Sequence, residues 1–261
     1  GKKLDLAYFK PPTDFNEKLN KLYNQNIFSV IDELNYQNDK RLDIVLFLNG
    51  LPIITMELKN QDTSQGYKDA IYQYKTTRSP NEKLFRFKQR SIVNFAVDKD
   101  EVYMTTELNG KDTFFLPFNK GKGRGKSKKA GNPEVEGKLK THYLWEDIFK
   151  KDQLLEILQK FVFIDVEEDI DEQGDLHKDE KLIFPRYHQL DVVSKILRDV
   201  KEKKAGHKYL IQHSAGSGKT YSITWLAHRL SSLHDRDNNP IFSSVIVVTD
   251  RVSLDQQLQE T

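Results

Sequence analysis

Cysteine is absent from the 261-residue chain. That excludes a disulfide-stapled scaffold, a cysteine nucleophile and thiolate zinc ligation, and it fits a reducing cytosol. Long apolar runs are missing too: nothing approaches the ~18–20 consecutive apolar residues of a membrane span, and mean hydropathy is −0.68. The start carries no signal-peptide pattern, and Gly1 where a methionine is usual reads as a trimmed or engineered N-terminus. These features describe a soluble, cytoplasmic protein or a piece of one. A dominant charge is also lacking, because 41 basic residues against 39 acidic ones leave only +2. Any nucleic-acid-binding surface must therefore be local. The seven histidines show neither H-x-x-x-H nor H-E-x-x-H spacing, so zinc catalysis has no support.

What is present reads as two domains. Short β-branched or aromatic runs suggest strands at Ile27–Leu34, Leu42–Leu48, Ile53–Leu58, Ile92–Val97, Val102–Thr106 and Thr113–Leu116. Turn residues such as Asn49-Gly50 separate them, and Asp69–Thr77 reads as a helix. The first part is thus a mixed α/β unit over 1–164. Within it, Lys120–Lys129 carries six basic residues, three glycines and no acid, the composition of a mobile loop that could track DNA phosphates through Lys122, Arg124 and Lys126. A helix is expected over Trp145–Phe161, and His142, Tyr143 and Trp145 read as packing. Asp165–Glu172 contains six acids and no base, so 165–184 reads as an acidic interdomain linker. The part from 185 to 261 then runs helix (Tyr187–Lys203), strand (Tyr209–His213), Gly-rich turn, helix (Lys219–Leu230), strand (Ser244–Thr249). That is the opening of a parallel α/β domain with too few strands to complete a sheet.

The Gly-rich turn is His213-Ser-Ala-Gly216-Ser217-Gly218-Lys219-Thr220. Placed between an apolar strand and a helix, it is a phosphate-binding loop. Glycines at 216 and 218 let backbone N–H groups approach phosphate oxygens, and the helix N-terminus adds partial positive charge. Lys219 is expected on the β- and γ-phosphates of ATP and the Thr220 hydroxyl on Mg²⁺. With His213 in place of the first glycine, the loop resembles that of superfamily 2 helicases and translocases. Arg186-Tyr187-His188-Gln189 resembles the adenine-reading element of that superfamily, with Gln189 on the base edge. Ser244–Arg251 resembles its next motif, with Thr249 and Arg251 on the DNA backbone. No strand ending in an Asp-Glu pair follows Thr220, so the isolated chain is not expected to hydrolyse ATP.

A second constellation lies in the first domain. Asp43 opens one strand, and Glu57 and Lys59, two residues apart on the next, share a face by strand alternation. Asp43 and Glu57 together suit a divalent cation, Mg²⁺, and Lys59 suits a scissile phosphate. Register is the test. A strict two-residue Asn49-Gly50 hairpin pairs Asp43 with Met56 and puts the two acids on opposite faces. Cation sharing requires an odd-length loop or a bulge, and a three-residue loop with Gly50 in the left-handed region would serve.

These residues form the D…E-x-K pattern of the PD-(D/E)xK nucleases. In the order LDIVLFLNGLPIITMELKNQ, Asp69-Ala-Ile-Tyr-Gln73-Tyr-Lys, FPRYHQLDVV, HSAGSGKT and VIVVTDRVSLDQQL, the chain resembles the restriction (motor and nuclease) subunit of type I restriction-modification enzymes. The resemblance implies a PD-(D/E)xK endonuclease domain followed by the start of a RecA-like motor domain. It also implies ATP-driven translocation on double-stranded DNA, Mg²⁺-dependent cleavage, and partnership with methyltransferase and specificity subunits. It brings in Gln73 as a catalytic-site residue and Glu17 as a candidate further ligand. Thr77 stands where related nucleases carry a tyrosine. Two rival readings remain: a nucleotide-gated DNA-binding or scaffold module with structural carboxylates, and a nuclease-helicase outside restriction.

Overall fold

The structure is a computed structural model that describes residues 5–11, 15–37, 39–123, 127, 129–170, 176–235 and 237–248. It divides into two compact units, Gly1–Phe184 and Pro185–Thr261.

The first unit is built on a six-stranded sheet in sequential order. Its strands are β1 (Phe28–Gln37), β2 (Lys40–Leu48), β3 (Leu51–Leu58), β4 (Val93–Val97), β5 (Val102–Thr105) and β6 (Leu116–Pro117). A short helix, α1 (Glu17–Asn24), precedes it, capped by Asn16, whose side chain accepts from Leu19 N at 3.0 Å. All neighbours pair antiparallel except β3 and β4, which run parallel. A parallel pair needs a crossover. Helix α2 (Tyr67–Thr77) lies in that connection and packs on β3, β4 and β5. Its Tyr74 is wholly buried in a cluster with Leu42, Val45, Leu84, Phe85 and Leu108. A second aromatic group, Phe95 with Phe118, Phe149 and Phe184, packs edge to face at ring separations of 5.4 to 6.1 Å.

Several expected elements take a different form. The helix expected over Trp145–Phe161 is a wide turn, Leu144–Ile148, followed by α3 (Lys151–Lys160). Tyr143 is buried, and its hydroxyl donates to Phe118 O at 2.7 Å, so it packs. The acidic stretch expected as a linker is an antiparallel hairpin, β7 (Phe163–Ile170) with β8 (Leu176–Ile183). Opposite charges stabilise it across the strands: Lys181 pairs with Glu167, and Lys178 with Glu168. The hairpin belongs to the first unit, to which Lys88 ties Glu180 and Phe95 ties Phe184. The basic loop closes on itself through reciprocal backbone hydrogen bonds between Lys122 and Lys129. Arg124 and Lys126 lie outside the described residues.

In the second unit α4 (Tyr187–Lys203) packs against α5 (Lys219–Ser231). Leu190, Val193, Ile196, Leu197 and Val200 form its buried stripe, with Trp225 buried on α5. The strands expected at Tyr209–His213 and Ser244–Thr249 are not formed among the described residues. A strand exists through a neighbour's hydrogen bonds, and neither run has one here. Leu210 is 95% exposed and Val248 88%. Thr249 and Arg251 lie outside the described residues.

Candidate active site and phosphate loop

The register of β2 against β3 decides whether the two acids can meet. The turn is the strict two-residue type, with Asn49 at φ +50° and Gly50 at φ +82°, and Leu48 pairs with Leu51. The odd-length loop is therefore wrong. The other route holds, because the pairing runs Phe47–Pro52 and then Leu46–Ile54, leaving Ile53 as a bulge. This one-residue slip brings Ile44 opposite Met56. Asp43 and Glu57 come next along the two strands, on one face. There the ladder stops, and Asp43 Oδ2 accepts the N–H of Leu58 at 2.7 Å.

Glu57 is fully buried. Arg78, just beyond α2 and itself 5% exposed, donates to its Oε1 from Nε at 3.0 Å and Nη2 at 2.6 Å. Glu57 Oε2 has no hydrogen-bond partner. Burial pushes the carboxyl up to about 7, against the pull of Arg78; Asp43 pushes the same way as burial, and Lys59 pulls it down. Arg78 also donates from Nη2 to Arg41 O at 2.6 Å, and its guanidinium carbon lies 5.8 Å from the centre of the Tyr36 ring. Sequence reasoning missed Arg78. The available signal was its position one helical turn after Tyr74, another residue facing this side of the sheet. Tyr74 OH lies 2.8 Å from Thr55 Oγ1, two residues before Glu57.

Lys59 follows β3 and donates its backbone N–H to Val97 O at 2.9 Å. Gln73 lies half-buried on α2, and no side-chain hydrogen bond joins it to Asp43, Glu57 or Lys59 among the described residues. Thr77 Oγ1 bonds back to Gln73 O at 2.7 Å and is exposed. Glu17 is exposed in the first turn of α1. Glu33 of β1, at φ +49°, is exposed and pairs with Arg41. No group of three or more His, Cys, Asp or Glu able to hold a metal forms among the described residues. Two carboxylates suffice for Mg²⁺, which keeps several waters and completes its shell with substrate phosphate. The buried, unpartnered Oε2 of Glu57 beside Asp43 fits such a cation.

In the second unit Gly216 and Gly218 adopt φ of +67° and +73°. A Cβ on Gly218 would fall 2.5 Å from Gln189 Nε2. Gln189 is 2% exposed and sits against the loop. Its Oε1 accepts Arg186 N at 2.8 Å, and its Nε2 donates to Gly218 O at 2.8 Å and Ser217 O at 3.3 Å. His188 Nε2 lies 2.9 Å from Ser217 O. Ser217 Oγ is buried without a hydrogen-bond partner, as is Arg186 Nε, and burial lowers the Arg186 pKa. Lys219 Nζ donates to Ser214 O at 2.9 Å, within the concavity of the loop. Thr220 follows it in the first turn of α5. A loop of this form, with a lysine and backbone N–H groups at a helix N-terminus, suits a nucleoside polyphosphate.

The family model of the type I restriction enzyme R protein N terminus matches residues 13–113. These residues carry Asp43, Glu57, Lys59, Gln73 and Arg78. The match lies wholly within the first unit. A SWI2/SNF2 ATPase family model matches residues 188–261, which include the phosphate loop. The chain is 28% identical over 90% of its length to a putative type I restriction enzyme endonuclease subunit, MjaVIIIP, of Methanocaldococcus jannaschii, of which it covers 21%. It is 26% identical over 92% of its length to the type I restriction enzyme HindI endonuclease subunit of Haemophilus influenzae, covering 22%. A type I restriction enzyme endonuclease subunit of Staphylococcus aureus is 23% identical over 90% of the chain. The likeness to type I restriction subunits thus extends across both units, and the chain spans about a fifth of the length of these relatives.

Proposed function

We propose that the chain supplies the nuclease domain and the nucleotide-binding loop of a type I restriction endonuclease subunit. The first unit would be a PD-(D/E)xK nuclease and the second the opening of a RecA-like motor. The observation that carries this reading is the Ile53 bulge, which brings Asp43 and Glu57 to one face with Glu57 Oε2 unpartnered. Asp43 and Glu57 would hold Mg²⁺, whose chemistry is Lewis acidity at the phosphate and a lowered pKa for water. Lys59 stabilises negative charge developing on the scissile phosphate of double-stranded DNA. Gln73, on the helix that carries Tyr74, helps orient the reacting groups.

In the second unit the N–H groups of Gly216, Ser217 and Gly218 and the Lys219 ammonium bind the phosphates of ATP. Thr220 reaches the nucleotide's Mg²⁺, and Gln189 with Arg186 backs the loop. ATP-driven translocation on DNA, and assembly with methyltransferase and specificity subunits, follow for the full-length protein. Lys122 and the other basic residues of its loop would neutralise DNA phosphates. The test is cleavage of supercoiled plasmid by the full-length subunit with its partners, ATP and Mg²⁺. Glu57→Ala and Lys59→Ala should each abolish cutting while ATP consumption persists. Undiminished cutting by either variant overturns the assignment.

A further inference from the structure

The guanidinium of Arg78 could have met the Glu57 carboxylate fork to fork, one N–H for each oxygen. It does not. Both of its N–H groups, from Nε and Nη2, converge on Oε1 at 3.0 and 2.6 Å, and Oε2 is left buried and unpartnered. The guanidinium cannot shift easily, because Nη2 also holds Arg41 O at 2.6 Å and Nη1 reaches Tyr36 OH at 3.4 Å. Tyr36 OH in turn donates to Glu82 Oε2 at 2.9 Å, and Lys40 holds the other Glu82 oxygen. Three strands and the end of α2 thus fix one oxygen of one carboxylate.

We propose that Arg78 is a specificity-determining positioning residue: by occupying Glu57 Oε1, it makes Glu57 a one-oxygen ligand and selects a small octahedral cation against calcium. The proposal rests on the cation site assigned above. Mg²⁺ and Mn²⁺ take near-octahedral shells in which each carboxylate usually gives one oxygen, whereas Ca²⁺ accepts more ligands and readily takes both oxygens of one carboxylate. A Glu57 held by one oxygen cannot close the four-membered chelate that favours Ca²⁺. Freed from Arg78, it can.

The experiment measures binding of Mn²⁺ and Ca²⁺ to the purified chain by calorimetry, in wild type, Arg78→Met, Arg78→Lys and Asp43→Asn, with the thermal midpoint of each variant recorded without cation. Wild type should prefer Mn²⁺, and Arg78→Met should shift the Mn²⁺/Ca²⁺ affinity ratio towards Ca²⁺ by about tenfold, as expected when a second carboxylate oxygen becomes available. If Arg78→Met does not fold, Arg78→Lys decides. It keeps the charge but has no fork, and a shift of about threefold towards Ca²⁺ is expected. Loss of a merely structural ion pair, or of a positive charge, changes both affinities together and leaves the ratio alone. A ratio unchanged in a folded Arg78 variant overturns the proposal. Wild-type-like Mn²⁺ binding by Asp43→Asn instead overturns the cation site itself.

Discussion

Asp43 Oδ2 accepts the backbone N–H of Leu58 at 2.7 Å, so the acid on β2 is fastened to the residue directly after Glu57. The bond lies where the β2–β3 ladder ends and replaces a strand-to-strand hydrogen bond with a side chain. It gives Asp43 two separable roles: acceptor and negative charge.

Those roles predict different variants. Asp43→Ala leaves a part-buried N–H unsatisfied and should cost about 1–3 kcal/mol. Asp43→Asn keeps an acceptor and should stay within about 1 kcal/mol of wild type, while cation affinity falls as far as in Asp43→Ala. Urea midpoints and Mn²⁺ titrations separate the two, and equal destabilisation would refute the acceptor role.

The Arg78–Glu57 pair is buried on both sides, with 4% and 0% of the side chains exposed. Removing Arg78 leaves a buried carboxyl that must take up a proton or stay unpaired, so Arg78→Ala should destabilise the chain by about 3–5 kcal/mol. Arg78→Met combined with Glu57→Leu should recover most of that loss. A double variant no more stable than Arg78→Ala would show that packing, not the unpaired carboxyl, sets the cost.

Burial raises Glu57 to about 7 from its ordinary 4.5. Between those values the folded state keeps a proton that the unfolded chain has lost. The contribution is therefore complete below about 4.5 and disappears as pH rises through about 7. Without added cation, the stability of wild type relative to Glu57→Gln should fall across that window. Mg²⁺, which favours the ionised carboxylate, should flatten the wild-type slope. A difference independent of pH would contradict the raised value.

For the phosphate loop, Lys219→Ala removes the ammonium and should weaken binding of a fluorescent ATP analogue by tenfold or more, about 1.4 kcal/mol or above. Gln189→Ala removes the donor to Gly218 O and Ser217 O and should weaken binding about tenfold without altering the packing of α4 on α5. Equal affinity in Gln189→Ala and wild type would mean that the loop holds its form unaided.

Much of the fold was legible. The strand runs of the first unit follow from β-branched alternation, and the starts of α4 and α5 from Pro185 and Gly218, all local signals. The acidic hairpin was not, because Glu167 and Glu168 read as a charge run until Lys178 is known to lie across from Glu168, and Lys181 diagonally within reach of Glu167. Tyr209–His213 shows the opposite failure: a strand pattern that pairs with no neighbour among the described residues.

The sequence by itself determined which residues could do chemistry: two acids and a lysine on adjacent strands, and glycines, lysine and threonine at a helix start. Spacing along one element decides both, and chain geometry is enough for that. Only the tertiary structure decided that Asp43 and Glu57 share a face, through a single unpaired residue at Ile53, and that Arg78 takes one oxygen of Glu57 and leaves the other. A one-residue slip reverses every side chain of a strand, and a buried carboxylate is defined by whatever surrounds it. Neither is written in the local sequence.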